Sequence, residues 1–176
     1  MENEQATTIG ALQLAIALER EGKAFYEGAS RKSGNRLTRE LLQHLAQDEE
    51  VHRRKFEEIY QTLKKGQDWP DVEPPSGAAR RLQPVFEQVT AELGNRIQVA
   101  GSELEVLSTA MDMESKTYEL YRSRSDKSAL PAEKQFYEAL AAEERGHHLA
   151  LLDSYEYLSD PAGWFSKRER WSLDGG

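Results

Sequence analysis

The sequence contains no cysteine. That excludes a disulfide framework, thiolate catalysis, a four-cysteine iron site and any iron–sulfur cluster within the chain, so whatever metal it holds must be bound by nitrogen and oxygen. Long apolar runs are missing too. Nothing approaches the roughly 20 residues that a helix needs to span a bilayer, and Met1 to Thr8 are polar where a secretion signal would be apolar. The expectation is a soluble cytoplasmic protein with no membrane partner. An excess of positive charge is also absent: Lys and Arg number 23 against 31 Asp and Glu, for a net charge of −8. Phosphate binding requires a basic face, so a nucleic-acid partner is not expected.

Proline is sparse, and its placement divides the chain. Three of the 6 prolines, Pro70, Pro74 and Pro75, fall between Gly66 and Gly77, a segment that cannot be a regular helix and has the length of a crossover connection. Elsewhere apolar residues recur at spacings of three and four, the period of an amphipathic helix. The spacing predicts a first helix over about Thr8 to Lys32, broken by Ser33-Gly34-Asn35, and a second over about Thr38 to Lys65. A short helix is expected after Pro84. A third long helix runs from about Ser102 to Ser128 and a fourth from Pro131, a favourable first-turn residue, to about Leu158. The reading is all-α: an antiparallel four-helix bundle over 1–158, made of two hairpins joined by one long crossover. Residues 159–176 form a tail, where Trp164, Phe165 and Trp171 suggest docking.

Each predicted core stripe is interrupted in its middle by residues that bind metals. The first helix gives Leu14, Leu18, Glu21, Phe25 and Gly28, and the second Leu42, Leu45, Glu49, His52, Phe56, Ile59 and Leu63. The third gives Leu104, Leu107, Met111, Glu114, Tyr118 and Tyr121, and the fourth Tyr137, Leu140, Glu144, His147, Leu151, Ser154 and Leu158. An unpaired buried carboxylate costs several kcal/mol, so four of them would unfold a domain whose stability is on the order of 5–15 kcal/mol. Two divalent cations balance four carboxylates, and two neutral imidazoles add one nitrogen ligand to each. The predicted metal ligands are Glu21, Glu49, His52, Glu114, Glu144 and His147.

A Glu-x-x-His spacing projects both side chains from one helix face but is weak evidence alone. Register is stronger. Leu45-Ala46-Gln47-Asp48-Glu49-Glu50-Val51-His52 matches Leu140-Ala141-Ala142-Glu143-Glu144-Arg145-Gly146-His147, and Glu21-Gly22-Lys23-Ala24-Phe25 parallels Glu114-Ser115-Lys116-Thr117-Tyr118 with Ala17 set against Ala110. The offsets are 93 residues for the lone glutamates and 95 for the Glu-x-x-His pairs. Such near agreement marks a duplicated hairpin with a site on its pseudo-twofold axis.

Glu21-Gly22-Lys23-Ala24-Phe25-Tyr26, Asp48-Glu49-Glu50-Val51-His52 and the second motif at Glu143 to His147 resemble the rubrerythrin branch of the ferritin-like superfamily. The resemblance covers about residues 8–158. It implies a ferritin-like bundle with a di-iron centre as its cofactor, reaction with H2O2 or O2, a part in resisting oxidative stress, and a homodimer, in some members with exchanged helices. Rubrerythrins proper carry a rubredoxin-like domain that passes electrons to the di-iron site. With no cysteine here, the donor is expected to be a separate molecule such as a rubredoxin-type protein. They also carry a further carboxylate on the third helix that exchanges with a histidine on redox change; Met111 and Thr117 stand at its two possible places.

Glu19, Asp48, Glu50, Asp112 and Glu143 lie beside the predicted ligands but off the stripe, and are read as solvated or supporting groups. His44 and His148 lack a partner at ligand spacing and are read as bystanders, and Tyr26, Tyr118 and Tyr121 as core aromatics near the site. The leading functional expectation is an oxidoreductase with peroxidase or ferroxidase activity. The alternatives are iron binding or storage without turnover, and a bundle that metal merely stabilises, since histidine and carboxylate ligands do not by themselves select iron over manganese or zinc.

Overall fold

Short turns force the long helices into antiparallel pairs. The computed structural model describes residues 2–95, 97 and 99–173, with side chains for 7–95, 97 and 99–167. Three residues separate α1 (Glu2–Lys32) from α2 (Arg36–Lys64), and three separate α4 (Gly101–Lys127) from α5 (Pro131–Ser159). The first turn is closed by side chains. Asn35 caps α2 by accepting from the Thr38 N–H at 3.2 Å. Glu103 of the other hairpin accepts from the backbone N–H of Gly34 at 2.8 Å and of Asn35 at 3.2 Å. Each hairpin is thus a closely packed pair, and among the described residues all regular structure is helical.

The crossover carries its own helix, α3 (Ala78–Leu93), which lies across α2 and α5. It starts well before Pro84, the point after which the sequence suggested a helix. An interior proline removes one backbone hydrogen bond and costs about 3 kcal/mol. Tertiary anchoring offsets that cost: Leu82, Phe86 and Val89 are buried, and the Ala78 N–H at the first turn donates to both carboxylate oxygens of Glu143, at 3.0 and 3.1 Å. Gly77 precedes it with φ 90°, a left-handed conformation that favours glycine.

The tail forms α6 (Pro161–Leu173). Trp164 packs edge-on against Phe86 and Tyr157, with ring centroids 5.4 Å apart in both pairs, and Phe165 lies 6.0 Å from Tyr157. The tail therefore docks where α3 meets the end of α5. The Trp171 side chain lies outside the described residues.

The core falls into two apolar clusters with a polar layer between them. One gathers Tyr26, Leu42, Leu45, Leu107 and Leu151 with the α3 residues; the other gathers Leu12, Ala15, Phe56, Ile59, Tyr121, Tyr137 and Leu140. The stripes predicted for α2 and α5 are buried at every position. On α1 the stripe is different. Leu12, Ala15, Glu19, Gly22, Tyr26 and Ser30 face inward, whereas Leu14 is 49% exposed and Glu21 is exposed.

Candidate metal centre

Six ligand-type side chains meet in the polar layer: Glu19 of α1, Glu49 and His52 of α2, Glu114 of α4, and Glu144 and His147 of α5. All are at least 96% buried, with Glu49 the most exposed at 4%. One ligand atom from each of Glu49, Glu114, Glu144 and His147 lies within 4.8 Å of the others, and the same holds for Glu19, Glu49 and His52. Glu49 belongs to both groups. Glu144 also reaches both sides, since its Oε1 stands 3.3 Å from His52 Nδ1. The glutamates of the two Glu-x-x-His motifs therefore lie centrally, and Glu19 and Glu114 close the two ends.

Five of the six predicted ligands, Glu49, His52, Glu114, Glu144 and His147, are brought together. Glu21 is exposed, and Glu19 takes the α1 place in the cluster. Two residues along a helix turn a side chain by about 200°, so only one of the two can face inward. Leu14, Leu18 and Phe25 drew the sequence reading to the wrong face, because the true inward positions include the small residues Ala15 and Gly22. The signal was present in the numbering. Glu19 and Glu114 are 95 residues apart, the spacing of Glu49 to Glu144 and of His52 to His147, as are Leu12 and Leu107, Ala15 and Ala110, and Tyr26 and Tyr121. The two hairpins repeat without a gap.

The tyrosines cross between the halves. Tyr26 donates its hydroxyl to Glu114, and Tyr121 donates to Glu19. Each is seven residues beyond the glutamate of its own helix, yet serves the glutamate of the opposite hairpin. Burial raises the pKa of both well above the ordinary tyrosine value, with neighbouring carboxylates adding to it, so both remain donors. Tyr118 is half-buried. Thr117 Oγ1 donates to Glu144 Oε2 at 2.8 Å.

Of the groups read as supporting, Asp48 and Glu143 fill that role. Asp48 Oδ2 lies 3.3 Å from His147 Nε2, and Arg81 of α3 donates to Asp48 at 2.9 Å and Glu143 at 3.1 Å. Glu50 pairs outside the cluster with Lys23, Arg53 and Arg54, and Asp112 is exposed. His148 Nδ1 lies 3.2 Å from both Ser115 Oγ and the Met111 carbonyl oxygen, away from the cluster.

The layer is short of positive charge. Burial, reinforced by Glu19 and Glu144, raises the Glu49 carboxyl well above its usual range, and burial with Glu114 raises that of Glu144. Burial opposes a charge on His52, but Glu19 and Glu144 outweigh it and lift its pKa to about 10; Glu114 and Asp48 raise His147 in the same way. Five buried atoms, Glu19 Oε2, His52 Nδ1, Glu114 Oε2, Glu144 Oε1 and His147 Nδ1, have no hydrogen-bond partner. They nevertheless converge. His52 Nδ1 lies 3.4 Å from Glu19 Oε2, and His147 Nδ1 lies 3.3 Å from Glu114 Oε2. A buried polar atom without a partner costs about 1–3 kcal/mol, and cations between these atoms would satisfy all five together. The residues fit a pair of metal ions.

A rubrerythrin family model matches residues 11–155. No match is found among curated proteins or solved structures. The matched segment runs through both hairpins and contains all six residues of the polar layer, and the chain accordingly belongs to the rubrerythrin family.

Proposed function

We propose that this chain is a non-haem di-iron protein that reacts with hydrogen peroxide or dioxygen, with Glu19, Glu49, His52, Glu114, Glu144 and His147 as its metal ligands. The observation that supports it most is the convergence of five partnerless buried oxygen and nitrogen atoms in a layer rich in carboxylates. Bound iron would supply two adjacent centres able to pass electrons from a donor to a small oxidant. The protein residues do the remaining work. Glu49 and Glu144 reach both halves, while Glu19 and Glu114 each close one end and are held in place by Tyr121 and Tyr26. Asp48 accepts from His147 Nε2–H, fixing the tautomer that leaves Nδ1 free to ligate. Apolar layers on either side exclude bulk water.

In this reading electrons come from a separate donor such as a rubredoxin-type protein, because this chain has no cysteine to hold a second iron site. It works as a cytoplasmic homodimer. No helix among the described residues is long and apolar enough to cross a membrane.

Anaerobic titration with Fe(II), followed by stopped-flow mixing with H2O2 or O2 in separate runs, tests the proposal. About two irons per chain, and a ferric absorbance that rises faster with one oxidant, are expected. A chain that takes up no stoichiometric iron, or whose bound iron ignores both oxidants, overturns it.

A further inference from the structure

The six ligand-type residues and the two tyrosines that bond to them recur at one offset in both hairpins, but a pair of residues beside them does not match. Thr117 bonds to Glu144, but its counterpart 95 residues earlier is Gly22. Gly22 is buried beside Glu49. A Cβ built there would stand 3.4 Å from Glu49 Cδ and 3.5 Å from Oε2, which is ordinary contact. Glycine in a helix interior costs about 1 kcal/mol relative to alanine, and no close contact requires it here. What its absent side chain leaves is space.

That space forms a cavity of about 190 Å³ between α1 and α4. Its walls include the exposed Glu21 and Lys116 and the buried Glu49 and Glu114, and both Gly22 and Thr117 line it. It therefore leads from solvent to two of the six ligand-type residues. The opposite face is covered. There α3 lies over α2 and α5, Arg81 ties Asp48 to Glu143, and Gly146 approaches so closely that a Cβ on it would stand 3.3 Å from the Ala79 nitrogen. Along the bundle axis the two apolar clusters block the way. Grooves elsewhere, beside Phe86 and Trp164, Phe25 and Val106, or Lys23 and Glu50, are lined by none of the six.

We propose that the α1–α4 cavity over Gly22 is the port through which small ligands of the size of peroxide or dioxygen reach the centre, and that Gly22 keeps it open. The inference rests on the di-metal reading above. Gly22 acts by access alone: it offers no atom to a ligand, and any side chain longer than alanine must extend over Glu49 into the cavity.

The test uses cobalt(II) as a redox-inert metal and azide as the small probe, followed by the visible bands of the loaded protein. Gly22→Leu should still bind about two cobalt ions per chain, but azide should perturb the bands more slowly by about tenfold or more. Gly22→Ala should remain close to the parent, as should Ala17→Leu, which places the same leucine side chain on the exposed side of α1. If Gly22→Leu does not load, Gly22→Thr is judged by the same criterion, since threonine is accommodated at the matching position of the other hairpin. Full cobalt loading with an unchanged azide rate overturns the port alone. A parent protein that takes up no cobalt overturns the metal centre and the port with it.

Discussion

Glu19 and Glu21 are chemically identical, and only the face of α1 on which each stands separates them. Glu19→Ala should therefore lower bound iron from about two per chain to one or fewer, whereas Glu21→Ala should leave the stoichiometry intact; metal analysis after desalting distinguishes them. Comparable loss in both variants would reject the assignment. Tyr26→Phe makes a second test, because it leaves Glu114 Oε1 without its buried donor. Hydrogen bonds to charged groups contribute about 1.5–3 kcal/mol, and urea unfolding of the metal-free protein should show a loss of that order. Tyr121→Phe should match it. Glu49, His52, Glu144 and His147 were legible in the sequence because the apolar stripes that carry them on α2 and α5 are buried at every position. On α1 the inward face holds Ala15 and Gly22 while Leu14 lies outside, so hydrophobicity pointed outward, and the repeat was read at an offset of 93 that paired Glu21 with Glu114. The gapless offset of 95 pairs Glu114 with the buried Glu19 instead. The tyrosine bonds were not legible, since nothing in the spacing along one helix reveals which hairpin a hydroxyl will serve.

Among the elements, α3 was the hardest to foresee, because Pro84 sits inside it and its anchors come from elsewhere in the chain. Arg81, Asp48 and Glu143 are far apart in sequence and meet only once α3 crosses α2 and α5. Arg81 is 45% exposed, so solvent screening limits its contribution to stability, and Arg81→Ala should cost only about 1 kcal/mol or less. The clearer readout is local. Amide hydrogen exchange in Ala78–Leu93 should quicken while α2 and α4 keep their protection, and uniform acceleration across the bundle would contradict this account of α3. Pro84→Ala should act oppositely. Restoring an interior N–H in a helix already anchored by Leu82, Phe86 and Val89 should raise stability by about 1 kcal/mol or more, seen as a higher denaturation midpoint. The α1–α2 and α4–α5 hairpins, in contrast, were legible from three-residue breaks and from Pro131 at a helix start.

For the whole molecule, the polar layer makes folding and metal binding one equilibrium. Carboxylates that repel one another destabilise the metal-free bundle, and ions that bind only the folded state stabilise it. Free metal at about 1,000 times its dissociation constant should add about 4 kcal/mol. Thermal unfolding should accordingly shift upward on adding Fe(II) or Co(II) under anaerobic conditions and return on chelation. A transition unmoved by either metal would mean that the layer is a closed polar network.

The gapless repeat also supplies an internal comparison. Glu19→Gln and Glu114→Gln delete the same charge at equivalent places in one molecule, at one temperature and one metal loading. Any difference between them reports only on surroundings: Gly22 against Thr117, or Asp48, which touches a histidine, against Glu143, which holds α3. Two copies that began as equals have become each other's control.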